Sequence, residues 1–223
     1  MTCKAVIFDL DGVIVDTVPL YYKATLPVIN ELGVPFTEAD NLAYQGRPRM
    51  ELIDMIVKRS GKVFTEEEKI ELGEWKNRNY QELIAQLTEE DAMPGIYRFI
   101  QELSQAGIPM ALASASSNAQ FVLKQLGLTT FFDVIMDPKS LKKGKPDPEI
   151  FETAADRLGV PYENCVAIED GEAGLEAIRS TPMFSIGVGT APYLDQADWT
   201  IPTTASLTLE NVNSQFNRRE SKK

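Results

Sequence analysis

The sequence contains no histidine, and that absence removes whole mechanisms. A Ser-His-Asp triad, a Cys-His dyad, a phosphohistidine and a histidine-ligated metal are all excluded. General acid–base work must fall to carboxylates, Lys, Tyr or Cys. Cysteine is nearly absent as well. Cys3 and Cys165 stand too far apart for a disulfide framework or a zinc site, and two unpaired thiols suit a reducing compartment. No apolar run reaches the ~18 residues of a membrane span. The N-terminus passes directly through Lys4-Ala5-Val6-Ile7-Phe8 into acidic residues, without the apolar core and cleavage site of a signal peptide; a cytoplasmic protein is expected. Positive charge is scarce too. Lys and Arg number 22 against 33 Asp and Glu, a net charge of −11, which is the wrong sign for a nucleic-acid surface. Neither nucleic acid nor membrane is expected as a partner. The same excess means that any phosphate chemistry must gather its cations locally, and a bound metal would help.

What is present is an alternation. The chain has 223 residues, 43% of them hydrophobic, enough for a sizeable core. Apolar runs over 4–8, 108–113, 134–136, 166–168 and 184–188 predict strands buried on both faces. Between them, the stripes Ile96, Phe99, Ile100, Leu103, then Phe121, Leu123, Leu126, then Ile150, Phe151, Ala154, Ala155, Leu158 predict core-facing helices. Strands alternating with helices imply an α/β fold with a doubly wound, Rossmann-like parallel sheet. One stretch breaks this rhythm. Residues 16–92 show helical patterns only, at 20–32, 50–60 and 66–87, punctuated by Gly33-Val34-Pro35 and Gly46-Arg47-Pro48, until Met93-Pro94-Gly95 marks the return. The expectation is an α-helical cap domain at 16–92 inserted into an α/β core of 1–15 and 93–223, the two crossings forming a hinge. The tail after Glu210 is expected to be a frayed helix end.

Ligands of open α/β sheets bind outside the carboxyl ends of the strands, so the polar residues there can be collected. The first strand ends at Asp9-Leu10-Asp11-Gly12, the second at Ser114-Ala115-Ser116 and the fourth at Glu169-Asp170-Gly171, while Lys145 precedes the helix around Ile150. On an extended backbone Asp9 and Asp11 point the same way and Leu10 points into the core. Asp9 is placed to attack a phosphorus atom. Asp11 is placed to protonate the leaving oxygen, then to deprotonate the incoming hydroxyl. Magnesium held by Asp9, Asp170 and Glu169 would neutralise the approach of two anions, and Ser114 and Lys145 would hold the equatorial phosphate oxygens. Singly these signals are weak. Asp-x-Asp-Gly is also a common strand-ending turn, Ser116, Ser117 and Asn118 read as a helix cap, and Lys142 and Lys143 read as a solvated loop.

In order and spacing, Asp9-Leu10-Asp11-Gly12-Val13, Ser114, Lys145-Pro146 and Glu169-Asp170 resemble the four motifs of the haloacid dehalogenase superfamily. The helical insertion resembles the cap of its subfamily I. Within that group the chain is most similar to the β-phosphoglucomutases, over nearly its whole length. The likeness is carried by Phe8-Asp9-Leu10-Asp11-Gly12-Val13-Ile14, Lys76-Asn77, Ala111-Leu112-Ala113-Ser114-Ala115-Ser116 and Ile186-Gly187-Val188-Gly189. The resemblance implies an aspartyl-phosphate on Asp9 and Mg2+ held by Asp9, Glu169, Asp170 and the backbone carbonyl of Asp11. It assigns phosphate binding to Ser114, Ala115 and Lys145, and a non-transferring phosphate or sugar to Gly46, Arg49 and Lys76. Asp11 separates this chain from the superfamily's dehalogenases and phosphonate hydrolases, which lack a second aspartate. The chain departs from the mutases at four places: Pro48 replaces a serine, Gln45 a lysine, Tyr21 stands near a histidine, and Gly171 replaces a serine. The expected activity is a sugar phosphomutase acting on β-glucose 1-phosphate as a monomer. A sugar phosphate phosphatase is the alternative. A non-catalytic metal-binding regulatory module, the third reading, would be expected to have lost Asp9 or Asp11.

Overall fold

The computed structural model describes residues 2–44 and 49–220. Gln45, Gly46, Arg47 and Pro48, and the readings attached to them, lie outside the described residues. The chain divides into two compact units, Met1–Asp16 with Thr88–Lys223, and Thr17–Leu87. Asp16 and residues 88–92, grouped with the helical segment by sequence, belong to the larger unit because the Met93 N–H donates to the Ile14 carbonyl at 2.8 Å and Ala92 bridges Val15.

The smaller unit is helical. Helix α1 (Val18–Leu32) ends at Gly33, whose left-handed backbone, φ 67°, is the conformation glycine tolerates best. Helix α2 (Glu38–Ala43) starts from a Thr37–Asp40 capping box. Helix α3 (Arg49–Ser60) precedes α4 (Glu66–Ile84), which starts from a second box, Thr65–Glu68, with three acidic residues complementing the helix dipole in its first turn. Ile29, Val34, Phe36, Leu52 and Ile56 form the core of this unit.

The larger unit is a parallel sheet of six strands: β1 (Ala5–Phe8), β2 (Met110–Leu112), β3 (Val134–Ile135), β4 (Cys165–Glu169), β5 (Phe184–Val188) and β6 (Trp199–Ile201). Their order is β3-β2-β1-β4-β5-β6. All four residues of β1 are buried, which is why no polar residue interrupts it. Strand order reverses between β1 and β4, whose register pairs Phe8 with Ile168. Residues following these two strands therefore emerge side by side at the topological switch point. Helices α5 (Ile96–Gln105) and α7 (Glu149–Leu158) bury the stripes expected of them, Leu158 only partly. Helix α6 (Ala119–Gln125) instead buries Ala119, Val122 and Leu123 and leaves Phe121 exposed, a correction to its expected stripe. Helix α8 (Glu172–Arg179) was not foreseen. The tail corrects another expectation. It is a formed helix, α9 (Leu209–Glu220), with Val212 and Phe216 buried and the Phe216 ring 5.7 Å from that of Phe184.

Candidate active site

Asp9 follows β1 directly, and its N–H continues the ladder by donating to the Ile168 carbonyl at 2.9 Å. The chain then turns sharply. Ile14 and Val15 N–H groups donate to the Leu10 carbonyl, and the Gly12 N–H donates to that of Val15. Leu10 is buried as expected, but Asp11 is placed by this turn rather than by strand alternation. Gly12 has φ +75°, and a Cβ there would fall 2.0 Å from Asp170 Oδ2. The Asp170 carboxylate therefore approaches the Asp9 turn through space that only glycine leaves open.

At the end of β4, Glu169 is 3% exposed and uses both oxygens. Its Oε1 accepts from the N–H groups of Asp170 and Gly171 at 3.1 and 3.0 Å. Its Oε2 accepts from Lys145 Nζ at 2.7 Å. That ammonium also donates to Asp9 Oδ1 at 2.5 Å and lies 5.0 Å from the Phe151 ring centroid. Lys145 precedes a cis peptide to Pro146. The neighbouring lysines stay in solvent as read: Glu149 accepts from their backbone N–H groups, and Lys143 pairs with Asp147. Ser114 is buried beyond β2, its Oγ accepting from the Ser116 N–H at 3.0 Å, while Ala115 is exposed. The expected cap at residues 116–118 takes another form. Ser116 Oγ accepts from the Asn118 N–H, and Asn118, the first residue before α6, makes no side-chain capping bond.

Carboxylate oxygens of Asp9, Glu169 and Asp170 lie within 4.8 Å of one another. Burial, then the Glu169 charge, raises the Asp9 carboxyl far above its ordinary range, although Lys145 opposes this. Asp170 is raised by burial first, then by Glu169, Asp9 and Asp11. For Lys145 burial alone would lower the pKa, but Asp9 and Glu169 outweigh it and hold the ammonium charged. One lysine does not balance this many carboxylates. A cluster of hard oxygen donors with surplus negative charge suits a divalent cation such as Mg2+. Asp11 contributes charge to this field, but its carboxylate is not one of the cluster of three.

Two supporting residues escaped the sequence reading. A Cβ on Gly174 would fall 1.9 Å from Glu169 Oε2, so a helix-interior glycine, unfavourable by ~1 kcal/mol against alanine, is what makes room for that carboxylate. This propensity defect was the available signal. Tyr193, whose hydroxyl donates to the Asp170 carbonyl at 2.8 Å, carried none.

In the helical unit, Lys76 on α4 is 6% exposed, and no described carboxylate pairs with it. Burial, then the nearby Arg49 charge, lowers its pKa to about 8. Its Nζ lies 5.2 Å from the centroid of the Tyr21 ring, which stacks on Tyr80 with centroids 4.3 Å apart. Arg49 Nη2 donates to Asn77 Oδ1 at 2.9 Å; burial lowers its pKa, opposed by Tyr21 and the charge of Glu74. Lys76 is thus a deeply buried cation beside a second one, and no described carboxylate offsets the cost of burying it.

Comparison with known proteins places these residues in context. The model of the haloacid dehalogenase-like hydrolases matches residues 3–180. A β-phosphoglucomutase of Bacillus subtilis is 44% identical over 215 residues, spanning 96% of this chain and 95% of its own length. A phosphorylated carbohydrates phosphatase of Thermotoga maritima is 34% identical, spanning 79% of this chain and 81% of its own length. Among solved structures, a β-phosphoglucomutase of Clostridium difficile superposes with a TM-score of 0.91 at 38% identity, covering 99% of this chain and 100% of the other.

Proposed function

We propose the following activity for this chain, which belongs to the haloacid dehalogenase-like hydrolase family: it is a phosphomutase that converts β-glucose 1-phosphate to glucose 6-phosphate through a phosphorylated Asp9. The observation that carries the mutase over a general phosphatase is the buried Lys76, which no described carboxylate pairs with, beside Arg49. In a chain of net charge −11, a buried ammonium without a described ion-pair partner suits a substrate with an anion besides the reacting phosphate. Similarity to β-phosphoglucomutases along nearly the full length supports the same reading.

The chemistry follows from the residues. The Asp9 carboxylate attacks phosphorus as the ester oxygen leaves, and Asp11 gives that oxygen its proton. In the second half Asp11 takes the proton of a sugar hydroxyl, whose oxygen attacks the phosphoryl group and frees Asp9. Lys145 and Ser114, with Ala115 beside them, hold the phosphoryl oxygens. Asp9, Glu169 and Asp170, with the Asp11 carbonyl, would hold Mg2+, which when bound offsets the repulsion between carboxylate and phosphate. Arg49, through paired hydrogen bonds, and Lys76 take the non-transferring phosphate. The acting form is a cytoplasmic monomer without membrane or nucleic-acid partner. No helix among the described residues is long and apolar enough to cross a membrane.

The phosphatase reading is favoured by one feature: Tyr21 stands near the position where the mutases carry an imidazole. Supplying β-glucose 1-phosphate with a trace of glucose 1,6-bisphosphate separates the two. Glucose 6-phosphate is the expected product; inorganic phosphate alone overturns the mutase. Magnesium-dependent hydrolysis of p-nitrophenyl phosphate no faster than in Asp9→Asn removes both readings.

A further inference from the structure

We propose that Tyr193 is a positioning residue of the metal-binding loop, holding Asp170 through its main chain. The inference rests on the reading of Asp9, Glu169 and Asp170 as magnesium ligands.

The Asp170 main chain is held on both sides of its Cα. Its N–H donates to Glu169 Oε1 at 3.1 Å. Its carbonyl accepts from Tyr193 Oη at 2.8 Å. Tyr193 lies on the 3-10 turn Pro192–Gln196, beyond β5. That turn is firmly seated. Leu194 is 1% exposed and packs close enough to Gly187 and Gly189 that a Cβ on either would stand 3.2 or 3.1 Å from it. The Leu194 carbonyl accepts from Thr200 Oγ1 at 2.7 Å, tying the turn to β6. The phenol is therefore a donor on a rigid arm, carried by a segment that supplies no ligand itself.

Asp170 needs such an anchor more than its neighbours do. Glu169 is fixed by three hydrogen bonds and Asp9 by Lys145. Asp170 lies among the like charges of Glu169, Asp9 and Asp11, and no described lysine or arginine pairs with it. Its carboxyl has Glu169 as a hydrogen-bond partner, and the main chain beneath it sets where that carboxyl can reach. The following residue, Gly171, offers no side chain to restrain the loop. Groups that orient a ligand in this way are commonly worth ~10- to 100-fold in metal affinity; for a neutral hydrogen bond to the main chain the low end is expected.

The test is Tyr193→Phe in the full chain, titrated with Mg2+ alone by calorimetry. The expected result is a ~10-fold weaker Kd, with an unchanged thermal midpoint in EDTA and an unchanged KM for substrate at saturating Mg2+. 4-Aminophenylalanine at position 193, which restores a donor, should return the affinity. An unaltered Kd in Tyr193→Phe overturns the inference. So does a weakened Kd that tracks a lower metal-free midpoint and is not rescued by the amine. A wild-type chain that binds no Mg2+ overturns the metal reading itself, and is distinguished by appearing before any variant is made.

Discussion

Replacing Lys76 by methionine measures how much stability the helical unit gives up to keep an ammonium there. Lys76 is 6% exposed, and burial with the Arg49 charge lowers its pKa from 10.5 to about 8. At ~1.4 kcal/mol for each tenfold change, this fall corresponds to a cost of ~3 kcal/mol at neutral pH. The contact between the ammonium and the Tyr21 ring returns ~0.5–1 kcal/mol. Lys76→Met keeps a flexible apolar stem and is expected to stabilise the chain by ~2 kcal/mol. Proton uptake sets the sign. Between about pH 8 and 10.5 the unfolded chain holds a proton on this residue that the folded chain has released, so its contribution to stability rises with pH across that window. The cost is full below the window and gone above it, so the advantage of the variant must shrink over the same range. Urea denaturation, followed through the fluorescence of Trp75 beside it on α4, gives the difference at pH values on both sides of the window. A variant less stable than wild type at neutral pH, or an advantage that ignores pH, would refute the account. Under the proposed function, glucose 6-phosphate should also protect the wild type against urea more than the variant.

Further outcomes follow from the larger unit and from Arg49. Gly174→Ala should gain ~1 kcal/mol from helix propensity alone. Its Cβ would instead lie 1.9 Å from Glu169 Oε2 and 2.7 Å from Cγ, so turnover should fall ~100-fold or more with no rise in thermal midpoint; a stable, active variant contradicts this. The Asp9 and Asp170 carboxyls are raised above 3.8 in the folded chain, so the metal-free protein should lose stability as pH rises from that value through neutrality. Added Mg2+ should flatten this slope in thermal unfolding, and an unchanged slope argues against metal at these groups. Phe216→Ala should cost ~3 kcal/mol in denaturant, whereas a negligible change would mean that α9 is frayed after all. Arg49→Ala should slow turnover of sugar phosphates more than that of p-nitrophenyl phosphate; equal losses remove Arg49 from the substrate site.

The sheet was legible because strands buried on both faces exclude polar residues, as in Ala5–Phe8 and Phe184–Val188. Strand β6 escaped because it has only three residues, of which Trp199 and Thr200 are partly buried and Ile201 alone is buried, which leaves no run to detect. Helix α2 is six residues long, too short for a helical period to declare itself. The candidate site was readable where a polar residue directly followed a readable strand or preceded a readable helix, as with Asp9, Ser114, Glu169 and Lys145. Asp11 was assigned by strand alternation, which stops applying when the chain leaves β1 and closes a turn on Leu10. Tyr193 was hidden for a different reason. It acts on a main-chain atom of a distant residue, and such a contact imposes no pattern of residue types.

Strand β1 precedes both of its partners by a long stretch of chain and is completed late. Its two neighbours begin only at Met110 and Cys165, whereas residues 17–87 find their partners among themselves. Local contacts form early in synthesis and long-range pairings late, so the helical segment acquires its shape while β1 still waits. A nascent chain halted before residue 145 presents Asp9 with neither the ammonium nor the acids that complete its surroundings. Under the proposed function the nucleophile precedes every other residue of its site in the chain, and it is armed only once Asp170 has followed.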